Sequence, residues 1–251
     1  MPQHLPPGDA VSARPAAMLE RAAKGTAAFE AAVHRLTDSG FTRPSYLPGW
    51  SKAHVVAHVA RNADALVNLL TWARTGTETP MYANADQRAR EIEEGARRRP
   101  EELRAELLAA DARLAGGLAA LPDECWAATV RTARGREVPA SQVPWMRVRE
   151  VWVHAVDLNI DTGFDDVPQD VCVALVDDVA ASFRGRPDCP SVRLRSEDGA
   201  HSWLLGESAA AEPVVVSGDL PSLAAYATGR PVPGPLYPTG GGSLPTLPAW
   251  L

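Results

Sequence analysis

Apolar residues return at helical spacing through four long stretches of the first 160 residues, and this period constrains the fold more than any other feature of the chain. Met18, Leu19, Ala22, Phe29, Val33 and Leu36 mark the first stretch, from about Pro15 to Leu36. The second runs from about Ser51 to Ala73, with Ser51 suited to cap its start and Gly76 to stop it. The third, Glu101 to Leu121, follows Pro100 and carries Leu103, Leu107, Leu108 and Leu114 as its apolar stripe. The fourth, from Ser141 or Gln142 to Ile160, takes Pro144 in its first turn, where a missing N–H does no harm. Asp86 to Arg98 is strongly charged and reads as a short exposed helix, and Trp126 to Val138 as irregular or briefly extended, with a turn at Gly135. Four amphipathic helices with moderate connections predict a bundle.

The texture changes after Gly163. Pro168 to Phe183 reads as a helix, and Val192–Arg195 and Ser202–Leu205 read as strands about an Asp198-Gly199 turn. Pro213–Val216 gives a third strand, and Leu220–Ala227 a helix capped by Asp219 and closed by Gly229. The tail from Pro231 is rich in Pro and Gly and closes on Trp250-Leu251, read as a surface anchor; residues 1–12 read as a loose start. The fold class is therefore α+β. A four-helix bundle domain, 1–163, precedes a smaller α/β domain with a short antiparallel sheet, 164–251.

Composition narrows the function classes. With 251 residues, 45% apolar and 22% charged, the chain matches an ordinary soluble globular protein. A net charge of −6 and the lack of a basic arm argue against a nucleic-acid surface. No apolar run has the length of a membrane helix, and MPQHLPPGDA lacks the basic and apolar parts of a signal peptide. Cys125, Cys172 and Cys189 are odd in number and far apart, as expected of reduced thiols in the cytoplasm.

Chemistry concentrates in two places. His54 and His58, four apart among Val and Ala, share one face of the second helix; Glu150 and His154 repeat that spacing on the fourth. An HxxxH pair alone does not single out a metal site. The glutamate adds weight, because a carboxylate set among Val and Trp is costly to bury without a partner. Side by side, the two helices bring one of the two histidines, Glu150 and His154 onto a divalent metal with a position open to an outside ligand. Zinc and ferrous iron both accept this set. The competing reading pairs Glu150 with Arg147 or Arg149 and leaves the histidines as half-buried residues. His34, His201 and the Arg97-Arg98-Arg99 run read as surface or packing residues, and no phosphate-binding glycine loop is present.

These stretches resemble the mycothiol-dependent maleylpyruvate isomerases, within a wider DinB-like group, over nearly the whole chain. The resemblance is carried by Pro48-Gly49-Trp50-Ser51 with Ala57-His58-Val59-Ala60, Thr79-Pro80-Met81-Tyr82, and Trp145-Met146-Arg147 with Arg149 through Leu158. Val214 through Gly218, Tyr226-Ala227-Thr228-Gly229-Arg230 and the closing Trp250-Leu251 continue it. It implies His58, rather than His54, as the first zinc ligand, with Glu150 and His154 completing the set, and it assigns Arg230 to the active site from the C-terminal domain. It further implies mycothiol as thiol cofactor and cis–trans isomerisation of maleylpyruvate to fumarylpyruvate through a zinc-bound thiolate, in aromatic breakdown through gentisate. The expected partners are a small-molecule substrate and a low-molecular-weight thiol, not nucleic acid or membrane. Two rivals remain open at this point: a mycothiol S-transferase that stops after addition, and a non-catalytic metal- or ligand-binding protein.

Overall fold

A computed structural model describes residues 14–206 and 212–250, so the expectations for residues 1–12 and for Leu251 lie outside the described residues. The chain divides after Leu158 into two compact units, the first helical and the second α+β. Among the described residues no helix is long and apolar enough to cross a membrane.

The first unit contains α1 (Ala16–Arg35), α2 (Lys52–Thr75), α3 (Ala85–Ala96), α4 (Pro100–Ala120) and α5 (Val143–Asp157), with a short hairpin, β1 (Thr129–Arg131) and β2 (Glu137–Pro139), before α5. α2 packs on α4 and α5, α1 on α5 and α4, and α3 lies along α2. The core follows the predicted stripes. Phe29, Leu66, Leu69, Leu103 and Leu107 are all buried, and burial of each such side chain contributes about 1.5–3 kcal/mol relative to exposure. Leu108 is a correction, being 53% exposed. The buried face of α4 runs through Leu103, Leu107, Ala110, Leu114 and Leu118, and Leu108, about 100° round from Leu107, falls outside it.

Local chemistry ends the helices where expected. Gly76 takes a left-handed conformation (φ 71°) that closes α2, and Asn84 accepts the Gln87 N–H to start α3. Gly25 serves packing: a Cβ there would lie 2.6 Å from Trp152 Nε1 and from Val151 Cγ2, so α1 approaches α5 as closely as a glycine permits. α5 begins after a 3-10 turn at Ala140–Gln142 and ends at Asp157, three residues before its predicted limit.

The second unit contains α6 (Gln169–Phe183), β3 (Val192–Ser196), β4 (Ser202–Leu205), β5 (Val214–Gly218), α7 (Leu220–Thr228) and β6 (Tyr237–Pro238). The sheet order is β4-β3-β5-β6. β3–β4 and β5–β6 pair antiparallel, whereas β3 and β5 run parallel, Leu194 opposite Val216. α6 and α7 pack together, with α6 against β4 and α7 against β3 and β5. The Pro/Gly-rich tail is not featureless: Tyr237 and Pro238 add an edge strand, a place where proline is tolerated. Trp250 is buried, so the expected surface anchor is corrected to a packed side chain.

Candidate metal centre

α2 and α5 bring three side chains to one point. His58 Nε2 stands 2.9 Å from Glu150 Oε2, and His154 Nε2 stands 3.4 Å from the same oxygen. One donor atom from each residue lies within 4.8 Å of the others, and the two rings meet edge to face with centroids 4.7 Å apart. The i, i+4 spacing within α5 sets Glu150 over His154; packing of α2 against α5 supplies His58.

The surroundings tune these groups in different directions. Burial pushes His58 down to about 4, against the hydrogen bond to Glu150. Burial by itself would raise Glu150, but hydrogen bonds to His154 and His58 outweigh it and hold the carboxyl well below its ordinary value. Burial also works to lower His154, yet hydrogen bonds to Asp157 and Glu150 raise it overall. An ionised carboxylate beside imidazoles is the donor set a divalent cation requires.

Behind the cluster stands a fourth residue. Asp157, fully buried, places Oδ2 2.9 Å from His154 Nδ1. A carboxylate there accepts from Nδ1–H and turns Nε2 toward Glu150, the arrangement that orients metal-binding histidines. The residues present therefore fit a divalent metal such as zinc.

His54 lies elsewhere. Its Nδ1 accepts the Ser51 N–H at 3.2 Å and lies 2.7 Å from the Ser51 hydroxyl, while Nε2 is 3.2 Å from Glu93. The ring stacks on Trp50, which also tilts against His58. His54 thus secures the first turn of α2.

The competing partners of Glu150 are accounted for. Arg149 Nη2 lies 4.0 Å from Glu150 Oε1, a looser contact than the histidines make. Arg147 turns away into the bundle, where it ion-pairs with Asp111, donates to the Val59 carbonyl at 2.9 Å and reaches the Asn62 Oδ1 at 3.1 Å.

Sequence reasoning missed Asp157, Arg88 and the role of Tyr82. The spacing of Asp157 from His154 (i, i+3) was a usable signal. Arg88, on the charged helix α3, gave none, yet its Nη2 lies 3.2 Å from His58 Nδ1 and its guanidinium stands 5.7 Å from the Tyr82 ring centre. Tyr82 also lines a cavity of about 340 Å³ with Asn68, Met81 and Gln87.

Arg230 belongs to the second unit. It follows Gly229, whose left-handed backbone (φ 73°) ends α7, and its Nη1 donates to the Thr228 carbonyl at 2.6 Å. Cys172 and Cys189 are buried, and burial pushes the Cys172 thiol up to about 12 and raises that of Cys189 as well. His201 stacks on Trp203, and the Arg97–Arg99 run pairs with Glu93, Glu106, Glu101 and Glu102.

Comparison with known proteins gives a consistent family. The model of the mycothiol maleylpyruvate isomerase N-terminal domain matches residues 22–159, and that of the corresponding C-terminal domain matches 166–249. The crystal structure of a mycothiol-dependent maleylpyruvate isomerase is 35% identical, over 94% of this chain and 97% of that one, with a TM-score of 0.89. A histidine-to-alanine mutant of such an isomerase is 34% identical over the same shares, also with a TM-score of 0.89. No curated protein matches the sequence.

Proposed function

The chain belongs to the mycothiol-dependent maleylpyruvate isomerase family, and from that membership we propose that it converts maleylpyruvate to fumarylpyruvate with mycothiol and zinc. The observation that carries the reading is the convergence of His58, Glu150 and His154 with Asp157 fixed behind His154. In this reading residues 1–163 form the metal-binding domain and 164–251 the second domain. The protein acts in the cytoplasm, in aromatic breakdown through gentisate, on small molecules and not on nucleic acid or membranes.

His58, Glu150 and His154 hold the metal, and Asp157 keeps the His154 Nε2 lone pair available. Mycothiol supplies the thiol, and zinc, when bound, the positive charge that favours a thiolate at neutral pH. The reaction then needs only addition to the cis double bond, rotation about the single bond so formed, and elimination to the trans product. Arg230 holds a substrate carboxylate or steadies the enolate oxygen that develops on addition. The high pKa of the buried Cys172 thiol supports an external thiol, because a neutral buried thiol is a poor nucleophile.

The test is an assay of zinc-loaded protein on maleylpyruvate with and without mycothiol, with products identified by NMR. Thiol-dependent fumarylpyruvate with the thiol recovered is expected; a stable thioether would turn the reading to an S-transferase. Arg230→Ala should lower turnover by about 10²–10³-fold with zinc content and fold retained. Unchanged turnover would remove Arg230 from the mechanism.

A further inference from the structure

Arg88 stands at the centre without a carboxylate of its own. Among the described residues its guanidinium makes no ion pair; its contacts include the His58 Nδ1 at 3.2 Å, the face of Tyr82 and a hydrogen bond to the Tyr82 hydroxyl. Of the other cations near the centre, Arg147 pairs with Asp111 and Arg61 with Glu106 and Asp64, while Arg149 lies 4.0 Å from Glu150 Oε1. A half-buried guanidinium whose hydrogen-bond partner is a neutral imidazole keeps its full charge available.

That contact also sets the His58 ring. A guanidinium can only donate, so Nδ1 accepts and the ring proton sits on Nε2, where it is given to Glu150 Oε2 at 2.9 Å. His154 is set in the opposite sense, since Asp157 takes the proton on Nδ1. His58 thus gives its one ring proton to Glu150 Oε2, whereas His154 gives Nδ1–H to Asp157 and turns Nε2 to the same oxygen at 3.4 Å. Ligation through His58 Nε2 requires the ring proton to move to Nδ1, where it would face the N–H of Arg88 donor to donor. A dication beside the guanidinium adds like-charge repulsion.

We propose that Arg88 is an exchangeable anion-binding residue: its guanidinium gives up the His58 Nδ1 contact for a carboxylate of the substrate, and a metal on the centre favours that exchange. Metal and anion then bind with positive coupling, because each relieves a cost that Arg88 imposes on the other. This rests on the reading of the centre as a divalent-metal site acting on a carboxylate substrate.

The test is the zinc dissociation constant of the full chain, measured by competition with a chromophoric chelator in the presence and absence of maleate, a dicarboxylate probe. Wild type should bind zinc more tightly when maleate is present. Arg88→Met should bind zinc about tenfold more tightly than wild type without maleate, and show no response to it. Arg88→Gln guards against a packing defect: its amide oxygen can accept from Nδ1–H, so it too should gain zinc affinity and lose the maleate response. Unchanged or weaker zinc binding in both variants, a maleate effect that persists in them, or its absence in wild type would each overturn the role of Arg88 and leave the metal reading standing. A wild-type chain that takes up no zinc would overturn both.

Discussion

Two histidines in one cluster are driven apart by their neighbours, and this has consequences for the metal-free chain. His58 is lowered from 6.5 to about 4, chiefly by burial, while Asp157 and Glu150 lift His154 above its ordinary value against the effect of burial. An NMR titration of metal-free protein should therefore show His154 taking its proton above pH 6.5 and His58 only near pH 4. The stability signs are opposite. The contribution of His58 is complete above the unfolded value of about 6.5 and is lost as pH falls toward 4; that of His154 is complete below 6.5 and is lost as pH rises through its folded value. The Tm of metal-free wild type should then fall more between pH 7 and 4.5 than that of His58→Gln. Equal falls would mean that burial does not govern His58.

Elements position this cluster through contacts that lie away from it. Arg147 is on α5 one turn before Glu150, and its bond to the Val59 carbonyl ties α5 to α2 immediately beside His58. Asp111 of α4 neutralises it, and Asn62 of α2 takes a second hydrogen bond. Removing one partner of a buried pair strands the other charge, so Arg147→Met should destabilise the protein by about 3–5 kcal/mol in urea melts. The paired change Arg147→Met with Asp111→Leu should recover most of that loss, because an apolar pair of similar volume avoids the desolvation of two charges. If the double variant is no more stable than the single one, the hydrogen bonds to Val59 and Asn62 matter more than the charge pair. The close seat of α1 at Gly25 against Trp152 and Val151 works alongside this network, fixing the helix that carries Glu150 and His154.

For the whole molecule, the proposed chemistry is divided between a ligand set in the first unit and Arg230 in the second. Residues 1–163 made alone should bind zinc in a 1:1 ratio and be strongly helical by far-UV CD, yet give no turnover with excess mycothiol. Full activity in that fragment would remove Arg230, and the second domain with it, from the reaction.

Periodicity, caps and stops are local, and the sequence determined them. The four bundle helices, the left-handed ends at Gly76 and Gly229, and the hairpin about Asp198-Gly199 all follow from residues within a few positions of each other. So does the sharing of one helix face by Glu150 and His154, which the 3.6-residue period settles. Between His54 and His58 the spacing itself did not choose; the tertiary structure groups His58 with Glu150 and His154 and engages His54 in the cap and the Trp50 stack. Only the fold could decide what meets across helices: Leu108 turned to solvent, Arg147 drawn to Asp111 instead of Glu150, and Arg88 brought from a charged helix to His58. It also decided the parallel pairing of β3 with β5 and the edge strand at Tyr237–Pro238. Spacing along a chain fixes which residues share a face, but which faces come together depends on the packing of the whole core.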